Sequence, residues 1–250
     1  MKGLVIKDFI CLRKQISMFV MLLVMSVVIA IMFVLSARYG NLALAMNEML
    51  ESGEIDQLGI VNTASFAVML FLFVPIAAVT DLGFIFREDA KAGFENVAAI
   101  LPLSIKQRVT ARYITVFTIL VVGVVVDSIL CFVLSFFTDI MKFSESVNMI
   151  FAISALIASM SALLIFFCIL LGKGKDEYAL VASSLVIVAI IAGVGFKRFK
   201  AFVTEGVDFI SDMMTFIKTK AYMMVIVAVA ITLICYLGSV VIAERKRGVL

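Results

Sequence analysis

Six stretches of the chain stay apolar long enough to cross a bilayer: Ile16 to Ser36, Ile60 to Phe86, Tyr113 to Phe137, Val147 to Leu171, Tyr178 to Phe196 and Ala221 to Ala243. A hydrocarbon core of about 30 Å needs about 20 helical residues at about 1.5 Å each, so each stretch predicts one span. The expected fold is all-α, a polytopic transmembrane bundle of six spans forming a single membrane domain over residues 1–250. Two further stretches are amphipathic rather than spanning. In Met1 to Gln15, Val5, Ile6, Phe9, Ile10 and Leu12 are set against Lys7, Asp8, Arg13 and Lys14, the pattern of a helix resting at the membrane interface. In Arg87 to Arg112, the polar residues Glu88, Asp89, Lys91 and Glu95 alternate with Ala90, Phe94, Val97, Ala98 and Leu101. That spacing predicts a helix over about 88–101, stopped by Pro102, with one face free for a soluble partner. The first span is too long for a signal-peptide core and has no small-residue cleavage site, so it is read as uncleaved.

Composition agrees with the pattern. A chain that is 64% hydrophobic and 16% charged, with mean hydropathy +1.20, has too little polar surface to live in water. The charges that remain orient it, because short loops rich in Lys and Arg stay in the cytoplasm. Basic residues gather before the first span, between the second and third (Arg87, Lys91, Lys106, Arg108, Arg112), at Lys173 and Lys175, and at Arg245, Lys246 and Arg247. The first two intervening loops hold only Arg38 and Lys142, so both termini are expected inside. Lys197, Arg198, Lys200, Lys218 and Lys220 fall on the outer side against this rule. Phe202, Val203, Val207, Phe209, Ile210, Met213, Met214, Phe216 and Ile217 lie between them, which predicts a re-entrant or interfacial segment over 197–220 with snorkelling lysines.

Little in the sequence supports catalysis. There is no histidine, which removes imidazole acid/base chemistry and histidine metal ligation. Cys11, Cys131, Cys168 and Cys235 lack metal or disulfide spacing. Gly172-Lys173-Gly174-Lys175 lacks the spacing of a nucleotide-binding loop and reads as a tight turn. The serines have no base to activate them, and the basic residues form no nucleic-acid footprint. The chain is therefore expected to carry no catalytic site, cofactor or metal. Asp127, within the third span, is the intramembrane polar candidate: a carboxylate there costs at least about 2.5–3.5 kcal/mol on insertion scales and must face protein or water. It either works on a translocation surface or is neutralised, by a proton or by hydroxyls such as Ser154, Ser159 or Ser161. Pro75 is a helix-kink candidate; Asp81 reaches the interface. Gly193 and Gly195, with Ala155 and Ser159, permit close helix approach.

The sequence resembles the type-2 ATP-binding-cassette exporter permeases, specifically small bacterial subunits encoded apart from their ATPase. The likeness rests on Met1-Lys-Gly-Leu-Val-Ile-Lys-Asp8-Phe with Arg13-Lys-Gln15, on Glu88-Asp-Ala-Lys-Ala-Gly93-Phe-Glu95 followed by Leu101-Pro-Leu-Ser104-Ile-Lys-Gln107-Arg and Ala111-Arg-Tyr113, and on Ser239-Val-Val-Ile-Ala-Glu244-Arg-Lys-Arg247. It implies a permease in the bacterial cytoplasmic membrane that pairs with a second copy or paralogue and with two ATPase subunits, which bind the ATP and Mg²⁺. It makes the 88–101 helix the coupling helix, with Glu88, Asp89, Lys91, Phe94, Glu95 and Leu101 as its candidate residues. It also implies export of an amphipathic or hydrophobic substrate, peptide favoured, by alternating access. The rival classes are a stand-alone secondary transporter, which would show midplane ion sites in repeated halves, and a membrane-embedded regulatory or sensor scaffold.

Overall fold

A computed structural model describes residues 2–13, 83–94, 104–137, 143–172, 175–205 and 209–247, with scattered positions of 16–32. The described elements are helices: α1 (Lys2–Cys11), α2 (Gly83–Lys91), α3 (Ile105–Phe137), α4 (Phe143–Leu171), α5 (Asp176–Glu205) and α6 (Phe209–Arg247). No strand occurs among the described residues. Three runs among them are long and apolar enough to cross a membrane: Ile105–Val133, Ser146–Leu171 and Thr219–Lys246. The described positions within 16–32 are helical too, whereas the second predicted span up to residue 82, with Pro75 and Asp81, lies outside the described residues.

Several boundaries differ from the hydropathy pattern, each for a local reason. The third span was expected from Tyr113, but its helix starts at Ile105. Ser104 caps it: the Gln107 backbone N–H donates to Ser104 Oγ (3.1 Å), and the Ser104 N–H donates to Gln107 Oε1 (3.2 Å). This reciprocal cap satisfies two end groups and lets the helix begin two turns early, through polar residues that hydropathy discounts. Of the helix expected over 88–101, residues 88–91 are helical, in an element that begins earlier, at Gly83, and ends at Lys91, and Phe94 is helical again after a turn. Gly93, in that turn, has φ +62°, the left-handed conformation glycine adopts at a helix end, and its N–H donates to Ala90 O. Glu95 and Leu101 lie outside the described residues. The 197–220 segment is helical in continuation of α5 and α6 on either side of residues 206–208.

α3 buries a stripe along its length, Val109, Tyr113, Val116, Leu120, Gly123, Asp127 and Cys131, and beside it, near its start, Ala111 and Thr115. The stripe's spacing of three and four is the seam of near-parallel helix packing. Across it runs α4, which α3, α5 and α6 all pack against. Tyr113 Oη donates to Ala162 O (3.4 Å) near one end of the seam, and Phe132 meets Phe143 edge-on (5.3 Å between centroids) at the other, which fixes the antiparallel register. α6 presents small buried residues to α4, Ala221, Ala228, Cys235 and Ser239, the composition that lets membrane helices approach closely. The tightest approach is at Gly238, where a Cβ would sit 2.8 Å from a Phe166 ring carbon. Gly193, expected to serve such a contact, has nothing within 4 Å of its Cβ position. Periodicity cannot tell which of several glycines meets a neighbour.

Gly238→Ala is therefore expected to destabilise the purified chain by about 1–3 kcal/mol, the usual cost of overpacking, whereas Gly193→Ala leaves its thermal midpoint unchanged or higher. Thermal unfolding of the two variants in the same detergent measures the contrast.

A candidate coupling site

At the end of the bundle where α3 begins, α1 and α2 pack against it through both oil and charge. α1 buries Leu4, Asp8 and Leu12, one residue per turn, and α2 buries Ile85 and Asp89 in the same way. Leu12 and Ile85 are 0% exposed and enter the core of the four long helices beside Val109, Tyr113, Ile165 and Cys235. The amphipathic pattern of α1 is thus turned around: charged Lys7 and Asp8 face protein, while Ile6 and Ile10 are exposed.

The two buried aspartates meet two cations. Lys7 Nζ donates to both oxygens of Asp89 (2.8 and 2.9 Å) and lies 3.0 Å from Asp8 Oδ1. Arg112, from α3, donates through Nη1 to Asp8 Oδ1 (3.0 Å) and through Nη2 to Asp89 Oδ2. Two positive and two negative groups from three helices therefore close a neutral ring. Aromatic faces cover it: Lys7 Nζ stands 3.7 Å from the Phe94 centroid and the Arg112 guanidinium 5.0 Å from that of Phe86. Burial, and then the Arg112 charge, push the Lys7 ammonium below the ordinary lysine range, while Asp8 holds it up. A lowered lysine pKa means that its charge costs more in the packed chain than in the unfolded one; that cost is present below the lowered value and relieved as pH rises through it. The ring is thus a poor source of stability and a strict setter of register, because any other alignment strands a buried charge.

The other face of α2 stays open. Arg87 and Lys91 are exposed, and Glu88 pairs only with its neighbour Lys91 (2.9 Å). Arg87 also reaches the start of α5, donating through Nε and Nη2 to Asp176 Oδ2 (2.9 and 2.7 Å). Lys246, at the end of α6, donates to the last carbonyls of α4, Ile169 O and Leu170 O, both at 2.8 Å. It neutralises the helix end above Gly172, whose φ of +86° turns the chain toward α5. The end of α4 and the start of α5 are thus each tied to a neighbouring helix.

The family model described as ABC-2 family transporter protein matches residues 58–246, most of the chain and all of this site beyond α1. The chain belongs to the ABC-2 transporter family. No curated protein and no solved structure matches it. The protein is thus a membrane permease of an ABC transporter, a family whose permeases are typically non-catalytic transmembrane subunits that work with an ABC ATPase.

Of the candidate residues in the permease, Asp89 turns inward to the ring, Phe94 covers it, and Glu88 and Lys91 face outward. Lys7, Asp8 and Arg112 complete the ring, though sequence reasoning gave them no site role. The signal that marks them is an aspartate at the buried one-per-turn position of α1, Leu4-Asp8-Leu12. Asp127 is buried far along α3, away from the ring. Two of the three hydroxyls proposed to satisfy it are used within α4: Ser154 donates to Phe151 O and Ser159 to Ala155 O.

Breaking the ring from one side leaves a buried charge unpaired, at a cost of about 3–5 kcal/mol. Asp89→Asn is expected to raise amide hydrogen exchange in α1 and α2 sharply and to leave α4 and α6 unaltered. The double variant Lys7→Met with Asp89→Leu, which keeps the Arg112–Asp8 pair, should restore protection. Exchange measured helix by helix decides between a register ring and an ordinary surface pair, whose loss would leave exchange unmoved.

Proposed function

We propose that the permease is the transmembrane half of an ATP-driven exporter, in which α2 receives the movement of a cytoplasmic ATPase and passes it to α3. The observation that carries this reading is the division of one short helix into a buried face and an exposed face. Ile85 is buried in the core of the bundle and Asp89 in the ring with Lys7 and Arg112, while Arg87 and Lys91 are exposed with Glu88 half-exposed between them. A load applied to the exposed face is delivered through the Asp89–Arg112 contact to the base of a helix of 33 residues, about 50 Å long.

In this reading both termini and α2 lie in the cytoplasm of a bacterial cell, six spans cross the plasma membrane, and two permease chains stand over two ATPases that hold ATP and Mg²⁺. Neither nucleotide nor metal is held by the permease itself. Closure of the ATPases tilts α2, and α3 moves with it because the ring does not let the two slide; the pair of permeases then alternates between inward-open and outward-open arrangements. The apolar faces of the long helices suit an amphipathic or hydrophobic substrate, and a peptide fits the family resemblance best.

The two faces of α2 separate experimentally. Glu88→Lys should weaken co-purification of the ATPase, with the permease still folded. Asp89→Asn should retain the ATPase and lose at least about tenfold in ATP-driven transport. Transport that continues without any ATPase, or an Asp89→Asn variant with full transport, would remove this reading in favour of a stand-alone transporter.

A further inference from the structure

Three carboxylates are buried among the described residues: Asp8, Asp89 and Asp127. The first two meet cations at 3.0 Å or less. Asp127 does not. It is 1% exposed, its Oδ2 has no hydrogen-bond donor, and no charged side chain among the described residues acts on its carboxyl.

Its position is set by the register of the seam. With Tyr113 against Ala162 and Phe132 against Phe143, Asp127 stands level with Asn148 of α4, about 9 Å short of Val133 at 1.5 Å per residue. It is therefore nearer the far end of the apolar run Ile105–Val133 than its middle, whereas a span beginning at Tyr113 would put it near the midpoint. On α3 its titratable neighbour is Cys131, 0% exposed, one turn farther along the same stripe. At this level α4 presents Ser146 and Asn148, which are neutral. The first described charge of α6 on this side, Lys220, is exposed and exerts no influence on Asp127. Beyond Cys131 the Phe132–Phe143 contact closes the seam.

A carboxylate in such a place must be paired or neutral, because the penalty for an isolated buried ion amounts to several kcal/mol even after relaxation. A neutral acid, by contrast, loses only one weak set of hydrogen bonds. We propose that Asp127 is a proton-binding site that closes the far end of the α3–α4 seam. While the seam is packed, the carboxyl carries its proton. When it ionises, the O–H bond breaks, the proton passes to water entering from the far end, and the anion stays only where water or a donor can reach it. The seam therefore closes at low pH and opens as pH rises. This linkage needs neither the ATPase nor a particular substrate, so its failure is distinct from failure of the exporter reading.

Cys131 reports on the opening. In the purified full chain, alkylation by N-ethylmaleimide is read by mass spectrometry at Cys131 relative to half-buried Cys11, in wild type and in Asp127→Asn. The amide is close to isosteric and cannot ionise; the negative charge it removes disfavours the neighbouring Cys131 thiolate, so its loss alone would favour alkylation of the variant, opposite to the expected result. From acidic to alkaline buffer, the wild-type ratio should rise roughly tenfold more than the variant's, as for one titrating group gating access. Superimposable profiles overturn the proposal. Independently of any variant, dicyclohexylcarbodiimide, an apolar reagent that adds to protonated carboxyls, should label Asp127 in acidic buffer and not in alkaline buffer. Absence of the adduct, or its suppression by sodium or potassium chloride at constant pH, overturns it too, the latter by making Asp127 a cation site.

Discussion

The permease is organised by the cost of burying charge. Asp8 and Asp89 sit where core residues belong, on the inward stripes of α1 and α2, and are tolerable there only because Lys7 and Arg112 arrive from the other side. An apolar contact between the same helices would bury as much surface and allow sliding by a turn, since Leu and Ile fit many neighbours. A closed ring of two cations and two anions does not, because a shift of one turn unpairs at least one of them. The ring exchanges stability for alignment, which is what a short helix must have if it is to move a long one.

Around that ring the rest of the end is assembled from helix termini. Ser104 and Gln107 cap the start of α3, Lys246 the end of α4, Gly93 ends α2, and Arg87 ties α2 to the first residue of α5. Farther along, the bundle relies on small residues and shape, Ala228 and Cys235 and Gly238 against α4, with few polar contacts beyond Thr110–Tyr236 and Tyr113–Ser239. In the proposed exporter the two regimes suit their places: dense polar fastening where movement would enter, and smooth small-residue contact where helices can shift past one another in lipid.

How much of this was legible depends on whether it is a one-dimensional property. Hydropathy located α4 and the apolar body of α3 and α6, because lipid solvation acts on every residue of a span alike. It misplaced the start of α3, since Lys106, Arg108 and Arg112 count against a span although their helix runs straight through them. It did not mark the turn inside the expected 88–101 helix, because periodicity runs past a glycine whose left-handed φ only a backbone reveals. It took Lys7 and Asp8 for a solvated face, and here the reason is sharper. Polarity predicts exposure unless a partner is known, and the partners, Asp89 and Arg112, lie 82 and 104 residues away.

The contrast between the three buried carboxylates carries the mechanism one step further. The ring near α1 is electrically complete, so it can travel as a rigid body with α2 and α3 without exchanging protons or ions with water. Asp127 is incomplete: the same residue type, as deeply buried, on the same helix as Arg112, has no counter-charge acting on it among the described residues. A packed helix pair with a satisfied end and an unsatisfied end is asymmetric in its response to water. Water admitted at the ring finds its charges already paired, whereas water admitted at Asp127 solvates a group that the seam cannot satisfy. Motion delivered at the fixed end therefore has its least costly outlet at the other, where α3 and α4 separate around Asp127 and Cys131.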